Sequence, residues 1–241
     1  MAIVTDIFCF QEVAGGYRYK LQYQQDHFIK NNFLDIDLFE EISKVLSKTH
    51  FGLLSKSYFD NKKSNYVGNA LFIKKNYTIK KYREIYMGDN FLIIDISEKD
   101  HTQVRYTAQA VEVNGVLTVV NTHMLKEGVN NKLAEKYFKV IKKEIKSVSS
   151  PILLTGDFNV DKSHKFINKY FSDYNSLNEE FNIKNTLNPS QHILFKKDAT
   201  HKGLSVDQFL VKRLCSPVKM KVEKVSVSDH YPITCIISKN E

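Results

Sequence analysis

The chain has 241 residues, of which 42% are hydrophobic, and this is enough to bury one sizeable core. Its net charge of +8 suits a polyanionic partner. No apolar run is long enough to span a membrane and the N-terminus lacks the features of a signal peptide, so neither a membrane protein nor a secreted one is expected. Three widely spaced cysteines are typical neither of a disulfide framework nor of a zinc site, and a cytoplasmic location is expected.

The first half of the chain is predicted to be rich in strands. Short apolar or alternating runs predict the strands, and apolar residues at helical spacing predict one helix. Asn114-Gly115 is typical of a tight hairpin turn between two of the strands. In chain order, the predicted elements are strand 7–11, helix 37–46, strand 70–73, strand 91–96, strand 105–113 and strand 116–121.

The second half combines strands with an amphipathic helix. Apolar residues repeat along one face of 132–145, and the lysines mostly fall elsewhere, so this helix is predicted to have a basic outer face. The other predicted elements are strand 151–155, a short helix 165–171 inside a polar, irregular segment 161–195, strand 206–211 and strand 232–237. Strands outnumber helices and hairpin signals are frequent. The pattern predicts an α+β domain of mostly antiparallel sheets covered by a few helices.

The positive charge has two interpretations. A basic chain with a lysine-rich helix face would suit nucleic acid or an acidic membrane surface. The chain is also rich in Asn, Ile, Tyr and Phe and poor in Gly and Pro, as an AT-rich coding sequence would make it without any role in binding. Lysines outside a mapped patch do not decide between these interpretations.

Two polar side chains follow apolar strands in the first half of the chain. Glu12 comes after Phe10-Gln11, and a carboxylate at a strand end can bind a hard cation such as Mg²⁺. His123 follows Asn121-Thr122, and an imidazole there can donate to a phosphate oxygen or carry a proton. Each has a common structural explanation, which is a solvated loop carboxylate for Glu12 and a carbonyl-bound histidine for His123.

The stronger signal follows the buried strand at 151–155. Gly156 permits a sharp turn, and Asp157 and Asn159 are two residues apart, so an extended backbone can direct both toward one point. A carboxylate that takes a proton from water, beside an amide that orients it, is a reasonable hydrolytic pair. The structural alternative is an Asx turn, in which the side chains only cap the loop.

The last motif places an acid beside a histidine. Asp229 and His230 are adjacent, and both reach one site only if the backbone turns between them. Asp207 falls inside an apolar strand, where a buried carboxylate needs a partner. An imidazole oriented by that carboxylate would satisfy it and would fix the histidine tautomer. A turn before Pro232 is the structural alternative.

Taken in order, five motifs resemble those of the endonuclease/exonuclease/phosphatase superfamily. They are "FQEV", "NTHM", "TGDFN", "SVDQFLV" and "SDHYP". The resemblance covers nearly the whole chain, and "GDFN" with "SDH" carries most of its specificity. It implies a single domain over residues 1–241 with a four-layer αββα sandwich of two mostly antiparallel β-sheets flanked by helices. It also implies a phosphate-ester hydrolase that uses Mg²⁺, with Mn²⁺ as an alternative.

The resemblance assigns a role to each motif residue. It implies that Glu12 is the principal metal ligand, with Asp229 as an acid near the metal. It further implies that Asp157 activates or positions water, and that Asn159 orients that water. His230 would contact the scissile phosphate, as a stabilising cation or a general base. By the same resemblance, Asp207 orients that histidine and His123 is a second phosphate ligand or proton donor. Asn69 and Arg105 are weaker candidates for contact with phosphate, and a structural role is the stronger interpretation of each.

The sequence departs from the family at its start. The family begins with a strand that ends in an asparagine near the metal, and Met1 lies only five residues before Asp6, so this strand is expected to be missing. Three functions stay open. They are a phosphodiesterase acting on nucleic acid, which we favour, a hydrolase of phospholipid head groups or small phosphate esters, and an inactive scaffold. A monomer is expected.

Overall fold

The computed structural model describes residues 5–15, 37–60, 65–87, 92–97, 100–104, 106–125, 131–192, 204–213, 217–225 and 228–237. The chain divides into two compact units. Unit 1 consists of 1–114 and 121–123, and unit 2 consists of 115–120 and 124–241. Among the described residues, no helix combines the length and the apolar character needed to cross a bilayer.

Within its described residues, unit 1 is built from antiparallel strands and one helix. The elements are β1 (Ile7–Gly15), α1 (Leu38–Leu46), β2 (His50–Asp60), β3 (Asn65–Lys74), β4 (Ile79–Tyr86), β5 (Leu92–Ser97), β6 (Asp100–Val104) and β7 (Thr107–Val113). A five-stranded sheet has the order β1-β3-β2-β6-β5, and β4 pairs with β7. Strand β8 (Leu117–His123) contributes its last three residues to this unit.

Helix α1 begins where the sequence predicts. The side chain of Asp37 caps it by accepting the backbone N–H of Glu40, and this capping is typical of an acid just before an apolar-periodic segment. The apolar face of the helix packs on the sheet around Phe72, so periodicity and cap agree with the tertiary packing.

The described part of unit 2 contains three further helices and two antiparallel groups of strands. The elements are α2 (Asn131–Ile145), β9 (Ile152–Asp157), α3 (Lys165–Phe171), β10 (Asn175–Ser176), α4 (Leu177–Glu180), β11 (Asp207–Lys212), β12 (Pro217–Val222) and β13 (Ile233–Ile237). Strand β11 lies between β10 and β9, and β12 pairs with β13. Phe138 of α2 contacts the rings of Phe158, Phe166 and Phe171, so the helices share one aromatic core.

Most predicted elements are confirmed within a few residues, and the α+β class with mostly antiparallel sheets is confirmed. Helix 165–171 has the predicted bounds, and the lysines on the outer face of α2 are exposed. Asn114 and Gly115 have φ values of 54° and 72°, as the predicted tight turn requires. Strands β2, β4, β6, β10 and β12 and helix α4 were not predicted.

Two predictions are wrong in detail. Strand β1 does not end before Glu12 but continues to Gly15 through a bulge. The segment 161–195 is more ordered than predicted, because it contains β10 and α4 besides the predicted helix α3. The prediction of a single domain over 1–241 stays a prediction.

Candidate active site

Two carboxylates of unit 2 face each other across a strand pair. Strand β9 is buried along its whole length, and β11 pairs with it so that Asp207 lies opposite Asp157. Their side chains are 12% and 11% exposed. Because like charges this poorly solvated repel each other, the pair requires a cation or proton nearby.

The backbone turns sharply at the end of β9. Gly156 has φ 136° and Asn159 has φ 54°, and both values lie in the region that L side chains rarely adopt. The Oδ1 atom of Asp157 accepts the backbone N–H of Asn159 at 2.7 Å, which is the Asx turn considered as the structural alternative. The Nδ2 atom of Asn159 donates to the carbonyl of Met124 at 2.9 Å, so the orientation of its amide is fixed.

His230 supplies the cationic partner. Its Nδ1 lies 2.9 Å from Oδ2 of Asp207, and its Nε2 lies 4.0 Å from Oδ2 of Asp157. The imidazole is therefore anchored by one carboxylate and directed toward the other. Asp157 has a different contact at each oxygen, because Oδ1 holds the turn while Oδ2 is the atom nearer to His230.

The electrostatics of this cluster favour a protonated imidazole. Burial by itself would lower the pKa of His230. The hydrogen bond and charge of Asp207, followed by the charges of Asp157 and Asp229, outweigh burial and raise the pKa of His230 from 6.5 to about 10. At neutral pH, and with no metal ion bound, His230 is therefore a cation held between carboxylates.

Asp229 lies at the exposed side of the same region. Its side chain is exposed and accepts the hydroxyl of Ser228 at 3.2 Å. The bend at 228–229 brings Asp229 and His230 together with His192, such that one potential ligand atom from each lies within 4.8 Å of the others. Asp157, Asp207 and His230 form a second group of the same kind.

A buried segment that the sequence did not identify holds these motifs in place. The Oγ1 atom of Thr186 accepts the backbone N–H of Val206 and of Asp207 at 3.1 and 3.2 Å, and its carbonyl accepts the N–H of Tyr231 at 2.8 Å. The Nδ2 atom of Asn188 donates to the carbonyl of Ser228 at 2.8 Å. The segment 186–188 therefore ties the Asp207 strand to the Asp229-His230 segment.

In unit 1, Glu12 occupies a strained backbone position. The pairing of β1 with β3 shifts between Phe10 and Val13, and Glu12 in this bulge has φ 54°. A bulge redirects a side chain, and a positive φ at a glutamate costs roughly 1–3 kcal/mol. The side chain of Glu12 is 64% exposed, and Oε1 lies 4.0 Å from Nδ1 of His123. The structure thus brings these two predicted residues near each other.

A buried amide network supports the bulge. The Nδ2 atom of Asn121 donates to the carbonyls of Phe10 and Ala70 at 3.1 and 3.2 Å, and its Oδ1 accepts Nε2 of Gln11 at 2.6 Å. Asn121 is fully buried, so the loss of these partners would leave unsatisfied polar atoms. This network fixes the backbone on which Glu12 and His123 are carried.

Of the two weaker candidates for contact with phosphate, the structure describes only Asn69. Asn69 is 1% exposed, and its Nδ2 donates to the carbonyl of Thr107 at 2.8 Å. Its Oδ1 is buried and has no hydrogen-bond partner among the described residues. This placement favours the structural role for Asn69. Arg105 lies outside the described residues.

Thr186, Asn188 and His192 escaped sequence reasoning because nothing in "NTLNPSQH" has periodicity or follows an apolar strand. The only available signal was Asn188-Pro189, which is typical of a turn. Their importance arises from contacts with segments that lie far away in the chain.

Comparison with known proteins gives a likeness of fold. No family model matches the sequence, and no curated protein matches it at a significant level. Solved structures do match. The endonuclease/exonuclease/phosphatase from Bacteroides vulgatus aligns with a TM-score of 0.64 at 16% identity over 95% of this chain and 83% of that one.

Two other structures match comparably. The mannosyl-6-phosphatase of Bacteroides thetaiotaomicron VPI-5482 has a TM-score of 0.62 at 16% identity, over 84% of this chain and 81% of that one. The human Nocturnin catalytic domain, determined with a bound sulfate anion, has a TM-score of 0.53 at 14% identity, over 95% of this chain and 79% of that one. The chain therefore has the α+β sandwich fold of endonuclease/exonuclease/phosphatase structures, and the resemblance drawn from the five motifs is confirmed as a likeness of fold.

Proposed function

We propose that this protein hydrolyses phosphate esters, and that Asp157, Asp207 and His230 form the centre of the reaction. The observation that carries the proposal is the position of His230, with Nδ1 on Asp207 at 2.9 Å and Nε2 4.0 Å from Asp157. A cation beside a carboxylate suits the hydrolysis of an anionic ester. The cation can stabilise charge on the phosphate oxygens, while the carboxylate is close enough to receive a proton from water.

His230 acts as the stabilising cation in this proposal. Of the two roles left open by the sequence, the hydrogen bond between Nδ1 and Asp207 and the nearby Asp157 favour a protonated ring, and this supports phosphate binding over general-base chemistry, because a base must be deprotonated at the working pH. Asp207 positions the ring and keeps the proton on Nδ1, so that Nε2–H can donate to a phosphate oxygen.

Asp157 takes the proton of the attacking water, and Asn159 orients that water. The Asx turn supports these roles. It holds Asp157 through Oδ1, and Oδ2 is the oxygen that approaches His230. The amide of Asn159 is held by the Met124 carbonyl before substrate binds. The side chain therefore loses less rotational entropy on binding than a free side chain would.

The residues present fit a hard divalent cation. Glu12 offers an exposed carboxylate from a backbone position that is held despite its strain, and strain of this kind is concentrated at functional sites. We propose Glu12 as the principal Mg²⁺ ligand, with Mn²⁺ as an alternative ion. Asp229 is proposed as a metal-binding acid within unit 2. The bound cation would neutralise charge on the phosphate. His123, near Glu12, is proposed to contact a phosphate oxygen or supply a proton to the leaving group.

Nucleic acid is the substrate we favour. The outer face of α2 carries exposed lysines, and a row of cations can follow a phosphate backbone. These lysines are Lys132, Lys136, Lys139 and Lys143, and the exposed Lys146 follows the end of the helix. A phospholipid head group or a small phosphate ester is the second candidate, and one structure of the same fold is named a mannosyl-6-phosphatase. Fold alone does not fix the substrate.

One assay separates these possibilities. Purified protein with Mg²⁺ would be offered plasmid DNA, single-stranded RNA, a sugar phosphate, sphingomyelin and a chromogenic phosphodiester. We expect turnover that EDTA abolishes and that Asp157→Ala lowers at least 100-fold. Turnover on the polymers alone would support a nuclease, and turnover on the sugar phosphate alone would support the second candidate. Equal rates for the parent and Asp157→Ala on every substrate would overturn the proposed function and favour the inactive scaffold.

A further inference from the structure

His192 adds a nitrogen ligand next to the motif residues. Its imidazole ring lies 5.8 Å from the ring of His230, centroid to centroid, at an interplanar angle of 67°. One potential ligand atom each from His192, Asp229 and His230 lies within 4.8 Å of the others. Edge-to-face imidazoles at this separation can direct one nitrogen each toward a common point.

This set of donors includes Asp229, which is also proposed as a metal-binding acid, but its two imidazoles give it a different chemistry from carboxylates alone. Two imidazole nitrogens and one carboxylate oxygen suit a borderline transition metal such as Zn²⁺ or Co²⁺, whereas Mg²⁺ prefers oxygen ligands alone. Three protein ligands also leave one position of a tetrahedral ion for water or a phosphate oxygen.

The surroundings of the cluster are those of a supported metal site. A histidine that ligates a metal usually donates its second ring N–H to a carboxylate, and Nδ1 of His230 has this partner in Asp207 at 2.9 Å. The backbone of Asn188 holds the other two ligands. Its N–H donates to the carbonyl of Asp229 at 2.7 Å, and its carbonyl accepts the N–H of His192 at 2.8 Å.

We propose that His192, Asp229 and His230 bind a borderline transition-metal ion of the Zn²⁺ type. Binding would use Nε2 of His230, whose proton would be released to solvent, and it would therefore withdraw this nitrogen from the phosphate. The consequence, which rests on the proposed function, is that Zn²⁺ inhibits the Mg²⁺-supported hydrolysis.

Cobalt(II) tests the site directly, because its visible absorption reports ligand type and number without any need for activity. Metal-free full-length protein would be titrated with Co²⁺, and Zn²⁺ would then be added to displace it. We expect the intense bands of a low-coordinate nitrogen–oxygen site in the parent protein. His192→Gln should weaken Co²⁺ affinity at least 10-fold, and Asp207→Asn should weaken it about 10- to 100-fold by removing the support of His230.

Two further variants keep the test specific. His164→Gln removes a half-buried histidine that caps α3, and it should leave Co²⁺ affinity unchanged. Asp157→Asn alters the alternative group of Asp157, Asp207 and His230 but none of the three proposed ligands. Circular dichroism and thermal unfolding would verify that each variant is folded.

The outcomes are distinct. Loss of affinity in folded His192→Gln, with parental affinity in Asp157→Asn, supports the site. The absence of Co²⁺ bands in the parent overturns it, as does equal affinity in the parent and His192→Gln, or a loss confined to Asp157→Asn. In a separate arm, the hydrolysis rate of each protein is expressed relative to its own rate without Zn²⁺. The Zn²⁺ concentration that halves this rate should be at least 10-fold higher for His192→Gln than for the parent. If the protein hydrolyses nothing but binds Co²⁺ as described, the proposed function fails and the metal site stands.

Discussion

The acid–histidine cluster of unit 2 and the Glu12–His123 pair of unit 1 hold their carboxylates in contrasting ways. Asp157 and Asp207 are nearly buried at paired strand ends, and both approach His230. Glu12 is 64% exposed in a strained bulge, 4.0 Å from His123. The first arrangement is preorganised for electrostatic stabilisation, because its dipoles and charges are fixed before substrate binds. The second suits a ligand that exchanges with water, because its carboxylate remains solvated.

The largest effect is expected from Asp157→Asn. The new amide oxygen can still accept the Asn159 N–H, so the turn should survive while the proton acceptor is lost. We expect kcat to fall about 1,000-fold with little change in KM. Asp161→Asn is the matched control, because Oδ1 of Asp161 accepts the N–H of Ser163 at 2.7 Å in the same type of turn. A fall of less than 10-fold in Asp157→Asn, measured by steady-state kinetics, would contradict the assigned role.

Asp207→Asn should produce the next largest effect. Loss of the charge that anchors His230 is expected to lower kcat about 100-fold. In the metal-free protein, NMR titration should find the pKa of His230 near 10 in the parent and lower in the variant. Because this pKa is raised from 6.5, its contribution to stability is complete below pH 6.5 and is lost as pH rises through about 10. An unchanged His230 pKa in the variant would show that Asp207 is not its principal partner.

Glu12→Gln should act through the metal. The amide is a weaker ligand for Mg²⁺ than the carboxylate, so we expect the half-saturating Mg²⁺ concentration to rise about 10-fold. The rate at saturating Mg²⁺ should fall less than in Asp157→Asn. Half-buried Glu84→Gln on β4 serves as the control. An unchanged Mg²⁺ dependence together with a reduced rate would assign Glu12 to another role.

The strain at Glu12 predicts a smaller effect on stability. Glycine adopts a positive φ without cost, so Glu12→Gly should raise the free energy of unfolding by up to about 1 kcal/mol while it removes the proposed ligand. Urea unfolding would measure the change. Destabilisation in Glu12→Gly would mean that the glutamate side chain contributes more to the fold than its exposure suggests.

The smallest effect is expected at Asp173, an exposed carboxylate remote from the predicted motifs in sequence. Burial opposes its charge, but hydrogen bonds from Lys142 and Lys212 outweigh burial and lower the pKa of Asp173 from 3.8 to about 2. Its contribution is therefore present above pH 3.8 and is lost as pH falls through about 2. Asp173→Asn should cost less than about 1 kcal/mol at pH 7 and leave kcat unchanged, because exposed ion pairs are screened. A larger loss of the free energy of unfolding, measured with urea, would argue against this interpretation. So would a loss that does not depend on pH.

The two regions also differ in how far sequence could predict them. Asp157 follows an unbroken buried strand, and Asp207 interrupts another, so each stood out against its apolar neighbours. The bulge at Glu12 could not be recognised in the sequence, because it depends on the pairing of β1 with β3. The segment 186–188 and His192 carried no pattern, since their backbone and side-chain contacts are with distant segments.

By itself, the sequence determined the α+β class, most of the strands and helices, and the identities of Glu12, Asp157 and His230 as chemically unusual residues. These follow from local patterns, namely apolar periodicity, turn residues and polar side chains at strand ends. Only the tertiary structure decided that His230 lies between Asp157 and Asp207, that Glu12 is held in a strained bulge, and that His192 joins Asp229 and His230. These features depend on strand register and on hydrogen bonds between segments distant in sequence, and neither is encoded in a local pattern.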